Sequence, residues 1–167
     1  MSKPTWDDYY MVRAFWAARR SPDPTTKHGC VFVGPNHEPI SEGYNGYPRG
    51  SNDEAMPKTR PEKYWVTLHS EENAVFHADR KALQGATAYI TGEPCTNCWA
   101  RMLQVGIKRF VLGPKGSVMV DEKLQAVTNQ LLAGRDIEII RWKPSMETLR
   151  AALIELWDEL GVTKTSN

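Results

Sequence analysis

The sequence has few cysteines, no long hydrophobic run and almost no net charge. Its 167 residues include three cysteines, too few for a disulfide framework, so we expect a reducing, cytoplasmic compartment. No apolar run approaches the roughly 20 residues that a membrane-spanning helix needs, so no membrane partner is expected. A net charge of +1 argues against long nucleic acid as a partner, although a local pocket for one phosphate group is compatible with it.

The rest of the composition is that of an ordinary globular protein. Hydrophobic residues make up 41% of the chain and charged residues 25%. A chain of this length can bury a sizeable core, and it contains neither an internal repeat nor a low-complexity tract. We therefore expect one domain over residues 1–167.

The pattern of apolar residues predicts an α/β fold. Two apolar runs, 30–33 and 40–44, flank a turn rich in Gly, Pro and Asn and predict a β-hairpin. Helical and extended patterns then alternate, which predicts a mixed sheet covered by helices on both faces. The predicted helices are 5–20, 69–83, 95–105, 121–133 and a C-terminal helix, and the further strands are 86–91, 108–112 and 137–141.

Two predicted helices have apolar stripes, and one long segment has no periodicity. The first helix, which begins at a Thr5 cap, carries the stripe Tyr9, Val12, Phe15, Trp16 and Arg19. The C-terminal helix carries the stripe Met146, Leu149, Leu153, Leu156, Trp157 and Leu160. Residues 45–65 lack any period, and an irregular connection of that length is usually functional or disordered.

A group of metal-ligand residue types lies in the middle of the chain. His69 is followed two residues later by Glu71, and Pro94 precedes a C-x-x-C pair formed by Cys95 and Cys98. Two thiolates and one imidazole fill three positions of tetrahedral zinc, and a fourth position open to water is typical of catalytic sites. Glu71 is not needed as a ligand, so its carboxylate is a candidate for moving protons to and from that water.

The predicted elements place these residues at helix N-termini. His69 and Cys95 each lie where a loop or strand turns into a helix, and the partial positive charge there favours a thiolate. Cys95 and Cys98, three residues apart, would share one helix face. His69 and Glu71 would not share a face, so this pair is expected in an irregular first turn.

Other interpretations of the cysteines remain open at this point. The C-x-x-C pair could be a redox pair, or the group could be a structural zinc site with a further protein ligand. Cys30 lies in an apolar run and is typical of a small core residue. His28, His37 and His77 receive no role.

The order and spacing of these motifs resemble those of the deoxycytidylate (dCMP) deaminases of the cytidine deaminase superfamily. The H-x-E…P-C-x-x-C arrangement is the signature of zinc-dependent base deaminases. The R-S-x-D-P turn at 20–24 and the G-Y-N-G-Y-P-R-G segment at 43–50 are similar to the dCMP branch. The resemblance implies a three-layer α/β/α fold. It also implies hydrolysis of dCMP to dUMP with release of ammonia, supplying dUMP for thymidine nucleotide synthesis.

The resemblance implies roles for individual residues. The implied zinc ligands are His69, Cys95 and Cys98. Glu71 corresponds to the proton shuttle. The backbone N–H of Ser70 corresponds to a contact with the pyrimidine carbonyl, and Asn45 to a contact with the sugar hydroxyl, although Asn is also a common turn residue. The candidate donors to the 5′-phosphate are Arg20, Ser21, Lys27, Arg49 and Lys115, each of which is otherwise an ordinary surface residue.

The glycine-rich loop 43–53 is similar to the effector-binding segment of regulated dCMP deaminases. The resemblance implies activation by dCTP and inhibition by dTTP, each with Mg²⁺, in a homohexamer. The implied contacts are Gly46, Arg49, Gly50, Asn52 and Asp53. A rigid structural loop beside the active site is the alternative.

Some features depart from the family pattern, and two other functions stay open. Trp99 stands where a small residue is common, Pro22 is unusual in its turn, and residues 113–120 lack a clear match. Another deaminase of the superfamily, acting on a free base, a nucleoside or transfer-RNA adenosine, is one alternative. A catalytically inactive zinc-stabilised binding protein is the other, and the presence of Glu71 argues against it.

Overall fold

A five-stranded mixed sheet forms the centre of the computed structural model, which describes residues 3–116 and 121–161. The strands are β1 (Gly29–Val33), β2 (Pro39–Tyr44), β3 (Thr87–Gly92), β4 (Arg109–Lys115) and β5 (Glu138–Arg141). Their order across the sheet is β2-β1-β3-β4-β5. Strand β1 is antiparallel to β2 and β3, whereas β4 is parallel to both β3 and β5. The predicted hairpin and mixed sheet are confirmed.

Helices alternate with the strands from the end of the hairpin onward. Within the described residues, the helices are α1 (Trp6–Ala17), α2 (Lys63–Val66), α3 (Ser70–Phe76), α4 (Thr96–Gln104), α5 (Glu122–Leu132) and α6 (Met146–Glu159). A 3₁₀ turn, Ala18–Arg20, extends α1. Parallel strands need such crossover connections, and α4 provides the one between β3 and β4.

The two faces of the sheet bury separate apolar clusters. On one face, Phe32 and Leu112 pack with Trp99 of α4. On the other face, Val31 packs with Met11 of α1. This alternation follows from the period of two in a strand, and it gives three layers, as expected for the α/β/α fold. Trp99 is accommodated in the core, where its ring centroid lies 4.7 Å from that of Phe110.

The buried face of α1 differs from the predicted stripe. Tyr9 and Trp16 are exposed, whereas Met11 and Ala14 are fully buried. Gly29 of β1 allows α1 to approach closely, because a Cβ at this position would lie 2.0 Å from the Ala14 carbonyl oxygen. Backbone proximity, rather than the largest apolar side chains, therefore sets the rotation of α1.

Helix α3 is much shorter than the predicted helix 69–83. It ends at Phe76, and the chain continues through turns to Gly85. The His77 ring contacts the carbonyl of Glu42 at 3.0 Å, and the Asp79 carboxylate accepts the Lys81 N–H at 2.8 Å. The Asp79 contact is local and competes with helical hydrogen bonds, whereas the His77 contact directs the chain toward β2, and the helix stops there.

The apolar stripe of α6 is mostly exposed. Of its members only Leu149 is buried, and Met146, Leu153, Leu156, Trp157 and Leu160 are exposed. None of the described helices combines the length and the apolar character needed to cross a membrane.

Candidate active site

Helices α3 and α4 begin at the same place on one face of the sheet. His69 and Cys95 are their N-cap residues, with extended backbone angles of φ −75°, ψ 159° and φ −72°, ψ 163°. Glu71 lies in the first turn of α3, and Cys98 in the first turn of α4. The predicted placement at helix N-termini is confirmed, and the extended cap residue explains how His69 and Glu71 can point to one site.

The spacing of the three ligand side chains fits a zinc ion. The His69 Nδ1 atom lies 3.4 Å from the Sγ atoms of both Cys95 and Cys98, and all three ligand atoms lie within 4.8 Å of one another. Zn–S bonds of about 2.3 Å and Zn–N bonds of about 2.0 Å in tetrahedral geometry separate S and N by about 3.5 Å. Two sulfurs and one imidazole at this spacing match the donor set of a catalytic zinc site with one open position.

Cys95 favours its thiolate form. The hydrogen bond from the Cys98 thiol, together with that from the His69 ring, lowers the pKa of Cys95 to about 4. The thiolate is the form that binds metal. By contrast, burial raises the pKa of Cys30 well above its ordinary value, which agrees with its interpretation as a core residue.

Glu72 links the start of α3 to the last turn of α4. Its carboxylate accepts the backbone N–H of His69 at 2.9 Å and forms an ion pair with Arg101 of α4 at 3.1 Å. The same side chain therefore caps α3 and links it to the helix that carries Cys98.

Glu71 is buried beside the ligand group. It is 6% exposed, and burial raises the pKa of its carboxyl above the ordinary value, although the Ser70 hydroxyl and the His69 ring favour the charged form. The Ser70 hydroxyl donates to the carboxylate at 2.8 Å. The Ser70 side chain therefore contacts Glu71, the residue that corresponds to the proton shuttle.

A cleft opens over the ligand group. Five of the predicted site residues line it: Asn45, His69, Ser70, Glu71 and Cys95. The other lining residues are Asp23, Thr26, His28, Arg60, Lys63, Tyr64, Thr67 and Glu93. Sequence reasoning assigned no role to this second set, because its members come from separate segments without a shared period or motif. The Asp of the R-S-x-D-P turn was the one available signal.

Asn45 is held at the wall of the cleft by two hydrogen bonds. Its Oδ1 atom accepts the backbone N–H of His28 at 2.7 Å, and its Nδ2 group donates to the carbonyl of Thr26 at 2.8 Å. An amide side chain has two acceptor lone pairs and two donor hydrogens, so one of each is still available for a ligand.

None of the five predicted phosphate donors is on the cleft lining. Arg20 is exposed and Ser21 is buried at the end of the 3₁₀ turn. The ammonium of Lys115 donates to the carbonyl of Lys27, directly before His28 in the chain, and the Lys27 ammonium donates to the carbonyl of Ser21. Within the loop 113–120, residues 117–120 lie outside the described part of the chain.

The predicted effector loop does not line the cleft except at Asn45. Gly46 pairs with Leu68 through two backbone hydrogen bonds. Arg49 contacts the His77 ring at 3.2 Å, and Gly50 adopts a left-handed conformation with φ 86°. Asn52 and Asp53 are exposed.

Comparison with known proteins identifies the family. The family model described as "Cytidine and deoxycytidylate deaminase zinc-binding region" matches residues 4–114. This chain belongs to that family. The match covers both helix starts, Asn45 and the turn that contains Asp23.

Several relatives carry related names. An uncharacterized deaminase of Aliivibrio fischeri is 39% identical over 142 residues, covering 83% of this chain and 94% of the relative. The deoxycytidylate deaminase of Mycobacterium phage D29 is 36% identical over 134 residues, covering 70% of this chain and 100% of the relative. The human, mouse and orangutan deoxycytidylate deaminases are 32% identical, and this chain spans 63% of their length. The protein is thus an enzyme of the deaminase class.

A solved structure shares the fold. The crystal structure of dCMP deaminase from the cyanophage S-TIM5 in complex with dCMP and dUMP has a TM-score of 0.64 at 23% sequence identity. The similarity covers 85% of this chain and 100% of that protein. The cytidine deaminase-like fold is therefore confirmed.

A buried ion pair joins α2 to the turn before β1. The Lys63 ammonium lies 2.8 Å from the Asp23 carboxylate, and both side chains are at most 10% exposed. The other carboxylate oxygen accepts the backbone N–H groups of Thr25 and Thr26, each at 2.9 Å. Burial alone would raise the pKa of Asp23, but the hydrogen bonds from Lys63, Thr26 and Thr25 outweigh it and lower the pKa from 3.8 to about 2.

This depressed pKa predicts a pH-dependent contribution to stability. The contribution is fully present above the unfolded-state pKa of Asp23 and is lost as the pH falls toward 2, because the unfolded state, in which Asp23 has the higher pKa, then binds a proton more readily than the folded state. Relative to the double variant Asp23→Asn/Lys63→Met, the native protein should lose about 1 kcal/mol of unfolding free energy between pH 5 and pH 3, and about 2 kcal/mol by pH 2. Urea unfolding of both proteins measures the difference. A difference that stays constant with pH would contradict the assignment.

Proposed function

We propose that this protein hydrolyses dCMP to dUMP and ammonia. The observation that carries the proposal is the buried Glu71 carboxylate beside the His69, Cys95 and Cys98 group, on a cleft that also exposes Asn45. The deoxycytidylate deaminases among the relatives support the choice of substrate. The dUMP product would supply thymidine nucleotide synthesis, and the few cysteines fit a cytoplasmic location.

His69, Cys95 and Cys98 would hold the zinc. When bound, zinc would supply a water molecule whose pKa is lowered to about 7. Glu71 would take one proton from that water and hand it to ring nitrogen three as the water oxygen bonds to ring carbon four. Glu71 would then take the remaining proton of that oxygen and deliver it to the amine, which leaves as ammonia when its bond to carbon four breaks. The Ser70 hydroxyl restricts the Glu71 carboxylate to one orientation through its 2.8 Å hydrogen bond.

Asn45 and the start of α3 would orient the nucleoside. The unused donor and acceptor of Asn45 fit a sugar hydroxyl, which is both a donor and an acceptor. The backbone N–H of Ser70, in the first turn of α3, fits the pyrimidine carbonyl because that N–H has no partner within its own helix.

The 5′-phosphate would bind near the start of β1, with Arg20, Ser21 and Lys115 as donors. Burial lowers the pKa of Lys115, and the nearby positive charges of Arg19 and Lys27 add to this effect. Among the described residues, Arg19, Lys27 and Lys115 form no ion pair with a carboxylate. An uncompensated positive cluster beside the cleft is suited to an anionic group.

Replacing Glu71 tests the proton-transfer role. Glu71→Gln should keep the fold and the zinc content but lower kcat by at least 100-fold, because general acid–base catalysis contributes roughly 10²–10⁴-fold. Metal analysis and an ammonia-release assay measure the two effects. The matched control is Cys95→Ala/Cys98→Ala, which should lose zinc as well as activity. Near-normal turnover by Glu71→Gln would contradict the mechanism.

Substrate comparison tests the monophosphate requirement. We expect kcat/KM for dCMP to exceed that for deoxycytidine roughly 100-fold or more, because charge-assisted hydrogen bonds each contribute about 1.5–3 kcal/mol. Lys115→Gln should lower the dCMP value by about 10-fold, whereas Lys108→Gln at the other end of the same strand should have no effect. CMP, cytosine and adenosine complete the panel. Equal values for dCMP and deoxycytidine would favour a nucleoside deaminase.

Regulation and assembly form a second part of the proposal. The loop residues Gly46, Arg49, Gly50, Asn52 and Asp53 would bind dCTP or dTTP with Mg²⁺. They adjoin Asn45 in the chain, so an effector there can alter a substrate contact. The exposed apolar side chains of α6 support a homo-oligomer such as a hexamer, since such surfaces are typical of interfaces.

Kinetics with both triphosphates test the regulation. Rates should depend sigmoidally on dCMP, become hyperbolic with dCTP and Mg²⁺, and fall with dTTP and Mg²⁺, because each effector favours a different state. Arg49→Gln should lose both responses, whereas Arg80→Gln at an exposed turn should keep them. Hyperbolic rates unaffected by either triphosphate would remove the regulatory proposal and leave the catalytic one intact.

A further inference from the structure

His28 is a cleft residue to which neither the sequence motifs nor the proton-transfer mechanism assigns a role. Its ring lies on the cleft lining with Asn45 and Glu71. Its backbone N–H donates to Asn45, which fixes the main chain at this point. Gly92 of β3 allows the ring to lie against the strand, because a Cβ there would come within 2.9 Å of the His28 Cε1 atom.

The hydrogen bonds of Thr91 determine which ring nitrogen of His28 carries the proton. The Thr91 hydroxyl is fully buried, accepts the Gly29 N–H at 3.1 Å and lies 3.3 Å from His28 Nδ1. A buried hydroxyl hydrogen needs an acceptor, and among the described residues His28 Nδ1 is the acceptor within reach. Nδ1 therefore accepts, and in a neutral ring the hydrogen is on Nε2.

The surroundings of His28 keep the ring neutral. Burial, the positive charge of Lys115 and the charge of His69 lower the pKa of His28 to about 4, against a smaller opposing effect of Asp23. At neutral pH the ring therefore acts as a hydrogen-bond donor through Nε2 without carrying a charge of its own.

The position of His28 points to the phosphate end of the cleft. The ammonium of Lys115 is bonded to the carbonyl of Lys27, which belongs to the same peptide unit as the His28 N–H. The Lys27 ammonium is directed toward the carbonyl of Ser21 in the same turn. A donor on the lining, next to a cationic cluster, is a suitable arrangement for a phosphate oxygen.

We propose that His28 contacts the substrate, donating its Nε2–H to an oxygen of the 5′-phosphate, and that Thr91 is a positioning residue that sets its tautomer. This inference rests on the proposed function for the identity of the ligand. It adds a neutral donor to the cationic groups of the phosphate site and assigns a role to a side chain outside the zinc motif.

Variants that keep one nitrogen position at a time test the contact. The amide nitrogen of Gln can replace Nε2 of His, whereas that of Asn can replace only Nδ1. We expect His28→Gln to retain kcat/KM for dCMP within about threefold, and His28→Asn and His28→Leu to lose about 10- to 100-fold, as for a hydrogen bond to a charged group. The same two variants should change deoxycytidine turnover less than about threefold. Equal retention by Asn and Gln, no loss with Leu, or equal losses on both substrates would overturn the proposal.

Nitrogen-15 NMR of the imidazole rings tests the tautomer without relying on activity. In the zinc-loaded wild-type protein, the His28 resonances, identified by their absence in His28→Gln, should show a protonated Nε2 and an unprotonated Nδ1. Thr91→Ser should keep this pattern because it keeps the hydroxyl, whereas Thr91→Val should populate both tautomers. A protonated Nδ1 in the wild-type protein would overturn the proposal even if Thr91→Val failed to fold.

Titration with product and nucleoside separates this inference from the proposed function. Addition of dUMP should shift the His28 Nε2 resonance, and deoxyuridine should not. Equal shifts with both ligands, or none with either, would overturn the phosphate contact. Failure of the proposed function would instead be seen as absence of ammonia release from dCMP by the wild-type protein, whatever the His28 variants do.

Discussion

The convergence of two helix N-termini on one point of the sheet is the constraint on which the site depends. Helix α3 brings His69 and Glu71 to this point, and α4 brings Cys95 and Cys98. Each helix contributes only its cap residue and first turn, so the group of three possible zinc ligands and Glu71 needs both helices. The Glu72 carboxylate adds a link between the two helices, because it accepts the His69 N–H and forms an ion pair with Arg101 in the last turn of α4. The unpaired N–H groups of both helices also favour thiolates and other negative charge at this point.

A second network, built around the Asp23–Lys63 pair, shapes the cleft above the ligand group. Lys63 brings α2 against the turn that Asp23 organises, and the Thr26 carbonyl of that turn binds Asn45. Removing one charge of a buried pair leaves the other uncompensated, so the two residues act as a unit. The irregular segment before α3 thus has a defined path although it carries no periodicity. Four of its residues, Arg60, Lys63, Tyr64 and Thr67, form part of the cleft wall.

The sequence predicted the ligand group and the sheet well because both depend on local signals. Strands have a period of two, and the C-x-x-C pair has a fixed spacing. The predictions for helices were less successful. The exposed Trp16 follows from the close approach of α1 to β1 at Gly29, and α3 ends at Phe76, where the side chains of the next residues contact backbone groups. The period of a helix encodes neither feature. Likewise, Arg60, Lys63 and Glu93 reach the cleft from segments distant in the chain. Only the tertiary structure brings them together.

The residues proposed for the reaction and the other residues that line the cleft come from different parts of the chain. The groups that would bind metal and move protons lie within two short motifs, so their identity can be predicted from the sequence. The other groups on the cleft lining come from the turn before β1, the segment around α2 and the end of β3. His28 is a member of this second set, and its hydrogen-bonding state depends on Thr91 of a neighbouring strand. We therefore expect selectivity to depend on contacts between strands and loops, whereas the proposed reaction depends on the two helix starts.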